Sequence, residues 1–120
     1  MKIAISATGQ NKDSILDRRF GRCDYFLIYD TESTEYKAIE NNGESCGGGA
    51  GIAAASQVIE ENVAAIITGN LGPNAYELLE KVGIKAYSCD ALPVFRVLEM
   101  FEKQHLSKID AAGNAHNGMK

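Results

Sequence analysis

The sequence predicts an α/β domain built on a five-stranded mixed sheet, and three observations carry that expectation. Short strand-like runs and helical spacings follow one another in the order strand, strand, strand, helix, strand, helix, strand, helix. The second half alternates strand and helix, which demands right-handed crossovers and parallel strands. The length of 120 residues suits one domain with one core.

Each element has its own justification. Lys2 to Ser6 alternates, with Ile3 and Ile5 on one face, and reads as strand one. A polar loop follows from Thr8 to about Arg19. Tyr25 to Tyr29 is aromatic and branched, as strands are, and forms strand two. The polar stretch Asp30 to Thr34 is a turn, so Tyr36 to Glu40, strand three, returns as the second arm of a hairpin. Asn41-Asn42-Gly43 breaks that strand and opens a glycine-rich loop. Ile52, Ala55, Val58 and Ile59 recur at helical spacing, placing helix one over about Ala50 to Asn62.

Ala64 to Thr68 is apolar without alternation, as in a strand covered on both faces. Pro73 stands at the first position of helix two, where a missing N–H costs nothing, and Gly83 ends that helix. Ile84 to Ser88 is strand five. Asp90 is a candidate N-cap for helix three, whose buried stripe is Val94, Val97, Leu98 and Phe101. The predicted sheet order is 3-2-1-4-5, with strand two antiparallel to the rest and helices on both faces. The domain is expected to span 1–106, and residues 107–120, where apolar content falls away, are expected to form a mobile tail.

Composition narrows the function. Hydrophobic residues make up 45% and charged residues 23%, as in an ordinary globular domain. No apolar run approaches the roughly 20 residues of a membrane helix, and the start lacks the pattern of a secretory signal, so a cytoplasmic setting without membrane contact is expected. A net charge of −4 argues against a nucleic-acid partner, which needs a basic face. The three cysteines, Cys23, Cys46 and Cys89, have no paired spacing and do not read as a structural zinc site. No catalytic set stands out, and the chain is expected not to be an enzyme.

Ligands of such sheets bind beyond the carboxyl ends of the parallel strands. That edge gathers Arg18, Arg19 and Arg22, the loop Gly47-Gly48-Gly49-Ala50-Gly51 at the start of helix one, and Asn70 after strand four. Arginines, backbone N–H groups at a helix start and glycines that permit close approach together suit an anion. All three cysteines fall on the same edge, and Cys23 and Cys46, on neighbouring strands, are the pair positioned to act together as metal ligands. The loop over 43–49 is expected to be mobile without ligand. Gly49 to Ala54 matches a loose dinucleotide pattern, but no carboxylate stands about 20 residues on. A small regulatory or phosphate- or nucleotide-binding module using this helix start is the alternative reading.

Certain motifs carry a resemblance. Arg19-Phe20-Gly21-Arg22 before an aromatic strand ending in Asp30, Gly49-Ala50-Gly51-Ile52 opening an alanine-rich helix, and Ile67-Thr68-Gly69-Asn70-Leu71-Gly72-Pro73-Asn74-Ala75 resemble the dinitrogenase iron–molybdenum cofactor biosynthesis family over nearly the whole chain. This family includes NifX-like carriers and the C-terminal domain of NifB. The resemblance implies a ribonuclease H-like fold and a non-catalytic carrier of an anionic iron–sulfur or molybdenum-containing sulfide cluster, or of its precursor. It also implies a protein partner that donates or accepts the cluster. Holding by thiolates and holding by arginines and N–H groups alone both fit such a ligand.

Overall fold

The computed structural model describes residues 1–42 and 49–110. Its elements run β1 (Lys2–Ala7), a 3-10 turn (Phe20–Arg22), β2 (Tyr25–Asp30), β3 (Glu35–Glu40), α1 (Ala50–Glu60), β4 (Ala65–Thr68), α2 (Pro73–Lys81), β5 (Lys85–Ser88), α3 (Val94–Glu102) and β6 (Ser107–Lys108).

Among the described residues the sheet has six strands in the order β3-β2-β1-β4-β5-β6. The expected order therefore stands for the first five, and the count of five is corrected to six. β2 runs antiparallel to both β1 and β3, whereas β4 is parallel to β1 and β5. The added strand comes from the segment read as a tail. Tyr87 pairs with Lys108 and Ser88 with Ser107, and Ile109 donates its N–H to Ala86 O at 2.8 Å. Residues 111–120, the rest of that segment, lie outside the described residues.

The strands' alternation splits the core into two layers. Ala4, Phe26, Ile28, Ile66 and Ala86 face α1 and α2, meeting Ala54, Ala55 and Val58 of the first and Ala75 and Leu79 of the second. Ile3, Ile5, Leu27 and Ile67 face the other way, under Val94, Val97 and Leu98 of α3. Adjacent residues of β4, Ile66 and Ile67, thus serve opposite layers, which is why this strand is apolar throughout. Helices on both faces were expected and are found.

Helix three begins later than its cap chemistry suggests. Asp90 does not cap it; Pro93 does, and α3 starts at Val94. The loop after β1 supplies what a capping side chain would. Ser14 O accepts from Val94 N–H at 2.9 Å and Lys12 O from Phe95 N–H at 3.1 Å.

Because β2 runs against its neighbours, the turn joining it to β3 lies at the end of the sheet opposite the loops that follow β1, β3, β4 and β5. Ser33 is exposed at that turn. Among the described residues no helix is long and apolar enough to cross a membrane.

Candidate functional site

All three helices of the described residues begin at the edge where β1, β3, β4 and β5 end. Each helix start offers N–H groups that the helix itself cannot satisfy. Those of α3 are covered by the loop carbonyls of Lys12 and Ser14. The starts of α1 and α2 have no side-chain cap; Gly49 and Gly72 stand at their N-cap positions. Two helix starts on one side of the sheet therefore have no side-chain cap among the described residues, at the positive ends of their dipoles.

The 3-10 turn lies against the start of α1. A Cβ on Gly21 would sit 2.9 Å from Gly51 N and 3.1 Å from Gly51 Cα, so the turn reaches this position only because residue 21 is glycine. Phe20 anchors the turn from below, its ring 5.4 Å from that of Phe26. Asn41 ties it from the side, donating from Nδ2 to Cys23 O at 2.8 Å and Gly21 O at 3.2 Å.

The three arginines differ in what they are committed to. Arg18 crosses the β4–α2 loop and donates from Nη1 to Cys89 O at 2.6 Å, with Asp90 Oδ1 at 3.8 Å. Its stem lies directly over Gly69, where a Cβ would come within 2.3 Å of Arg18 Cβ. Arg19 pairs side-on with Asp17, with Nε to Oδ1 at 3.0 Å and Nη2 to Oδ2 at 2.8 Å. Its backbone also bridges to Asn70 in parallel sense. Hydrogen bonding to Arg19 holds the Asp17 carboxyl below its usual range, against the opposing effect of burial. Arg22 is exposed at the end of the 3-10 turn, and its guanidinium has no ion-pair partner among the described residues.

Of the expected site, the structure thus brings together Arg18, Arg19, Arg22, Gly49, Gly51 and Asn70 at one edge. Cys46, Gly47 and Gly48 lie outside the described residues, as does the expected mobility of their loop. Cys23 is placed in the core layer beneath α1, only 3% exposed, with Sγ 3.4 Å from Phe20 O. Cys89 is also buried. Among the described residues no three His, Cys, Asp or Glu side chains cluster as metal ligands.

Burial is the main reason the Cys23 thiol is pushed up to about 12, with the nearby Asp17 carboxylate adding to it. The unfolded thiol ionises near pH 8.5, so between about 8.5 and 12 the unfolded chain binds fewer protons than the native one. The stability due to Cys23 is therefore complete below that window and is lost as pH rises through it. Urea midpoints at pH 8, 9 and 10 are expected to fall more steeply for the wild type than for Cys23→Ala; parallel profiles would contradict this.

Asp17, Asn41 and Ser6 are the site residues that the sequence reading left unassigned. Ser6 is buried, its Oγ donating to Asp17 O at 2.6 Å and meeting Thr68 Oγ1 at 2.7 Å. The one local signal for the clamp is the Asp-x-Arg spacing of Asp17 and Arg19, since a carboxylate often bonds backbone two residues on. Here Asp17 Oδ1 accepts from Arg19 N–H at 2.9 Å.

These features define a small α/β domain with a donor-rich edge at the carboxyl ends of its parallel strands. The chain belongs to the dinitrogenase iron-molybdenum cofactor family, whose model matches residues 1–104. An uncharacterised protein of Methanocaldococcus jannaschii is 32% identical over 113 residues, covering 92% of each chain. Among solved structures, the apo form of the orange protein from Desulfovibrio gigas is 27% identical with a TM-score of 0.89, covering 94% of this chain and 96% of that one. A candidate NifB protein from Thermotoga is 29% identical with a TM-score of 0.82, covering 95% of this chain and 97% of its own.

Proposed function

We propose that this protein binds and carries an anionic metal–sulfur cluster, or the precursor of one, without catalysing a reaction on it. The cluster is of the iron- or molybdenum-containing sulfide type, is received from or handed to a partner protein, and is held at the loop edge. The observation that carries the reading is the pair of helix starts at α1 and α2, neither capped by a side chain among the described residues, set beside the guanidinium of Arg22, which has no ion-pair partner among them. Membership of the iron-molybdenum cofactor family supports this class of ligand. The likeness to the orange protein, described in its apo form, supports a ligand-taking role. The β3-β2-β1-β4-β5 core with helices on both faces also suits a ribonuclease H-like reading of the fold.

Burial of Cys23 and Cys89 favours holding by hydrogen bonds and charge over ligation by those two thiols. Hydrogen bonds to charged groups contribute about 1.5–3 kcal/mol each, so two or three suffice for a carrier that must also release its cargo. The test is an anaerobic NMR titration with tetrathiomolybdate, with inorganic phosphate as the second arm. Shifts are expected at Arg18 to Arg22, at Gly49 to Ile52 and at Asn70 to Asn74, with visible absorbance retained on the protein after desalting. Shifts confined to the β2–β3 turn would exclude this edge. Equal or tighter binding of phosphate would favour the phosphate-module reading instead.

A further inference from the structure

Arg19 is held in place before any ligand arrives. A guanidinium has five N–H donors. The side-on pair with Asp17 uses two of them, one on Nε and one on Nη2. The other three, two on Nη1 and one on Nη2, have no hydrogen-bond partner among the described residues, and the side chain is 67% exposed. Asp17, by contrast, is only 7% exposed and its backbone is fixed in both directions to β1. Its N–H donates to Ser6 O at 2.8 Å, and its carbonyl accepts from Ser6 Oγ at 2.6 Å. Ser6 in turn meets Thr68 of β4, so the backbone that carries the carboxylate is tied to the two central strands. An arginine on the surface ordinarily loses rotamer freedom when it binds a ligand. Here that ordering is already supplied by the fold.

We infer that Asp17 is a positioning residue, holding Arg19 so that its three remaining N–H groups serve the anion bound at the loop edge. The inference rests on the anion-binding reading above and assigns a role within it. It also makes a prediction of sign. If charge alone governed affinity, removing the Asp17 carboxylate would make the edge more positive and tighten an anion. If Asp17 positions Arg19, removing it loosens the anion in spite of the added positive charge.

The experiment is a double-mutant cycle on the intact protein, with tetrathiomolybdate affinity read anaerobically by calorimetry. Asp17→Asn is expected to weaken binding about tenfold, Arg19→Ala by a similar factor, and the double variant no further than Arg19→Ala, which corresponds to a coupling of about 1.4 kcal/mol. Tighter binding by Asp17→Asn overturns the inference. So does an equal loss from Asp17→Asn in the wild-type and Arg19→Ala backgrounds, which would mark a structural role. In either case the binding edge itself stands. No binding by the wild type overturns the edge and the inference together.

Two further measurements cover the case in which Asp17→Asn folds poorly. Arg19→Lys keeps the charge but cannot form the side-on pair, and is expected to lose most of what Arg19→Ala loses; full affinity in that variant overturns the inference. In the unliganded wild type, the Arg19 Nε–H resonance is expected to exchange slowly with solvent, and fast exchange overturns the clamp without reference to any ligand.

Discussion

Gly69→Ala is expected to destabilise the protein by about 1–3 kcal/mol, the range for forcing a methyl group into a filled space. The added Cβ would lie 2.3 Å from Arg18 Cβ and 2.7 Å from Arg18 Cα, so rotating a side chain does not relieve the clash. Neither partner is free to retreat. Gly69 O is held by Ser88 Oγ at 2.8 Å, and Arg18 is held by Cys89 O at 2.6 Å. Relief requires opening the β4–α2 loop, which also carries Asn70. Gly72→Ala is the control, since nothing lies within 4 Å of a Cβ there; Ala caps a helix less well than Gly but loses less chain entropy on folding, so the net change is expected to stay within about 0.5 kcal/mol. Urea unfolding of the two variants measures the difference. Equal stability would mean that the Arg18 backbone is mobile.

Arg22→Glu is expected to leave stability within about 0.5 kcal/mol of the wild type, because the side chain is exposed and has no ion-pair partner among the described residues. Its effect on tetrathiomolybdate affinity is expected to be large. Loss of one charge-assisted hydrogen bond is worth about 1.5–3 kcal/mol, or roughly 10- to 150-fold, before the repulsion of the new carboxylate is added. Raising the salt concentration is expected to narrow the gap between the two proteins. An unchanged affinity would remove Arg22 from the site and leave the helix starts to hold the anion.

Much of the scaffold was legible because its signals are local. Pro73 marks the start of α2, and the apolar run ending at Thr68 marks a strand buried on both faces. β6 was not legible, since Ser107 and Lys108 are both exposed and carry no apolar alternation. It exists through pairing with Tyr87 and Ser88, about twenty residues earlier in the chain. The late start of α3 has the same origin. Asp90 has the chemistry of a cap, but the carbonyls of Lys12 and Ser14, far back in the chain, take that work. Within the site, the arginine cluster could be read as a cluster. Which of its members is already paired shows locally only in the Asp-x-Arg spacing; the ties of Asp17 to Ser6 and of Arg18 to Cys89 join residues distant in the chain. Nor could the burial of Cys23 be read, since it depends on Phe20 folding beneath α1 and on Asn41 closing the side.

The reversed direction of β2 has a practical consequence for measuring exchange of cargo. A tether attached at Ser33 leaves from the end of the sheet remote from the three helix starts, across a molecule whose principal extents are 33 × 32 × 24 Å. Protein immobilised there presents its loop edge outward, toward whatever is flowed past it. Delivery and withdrawal of a coloured anion can then be timed on one molecule population, with neither the surface nor the linker competing for the same approach.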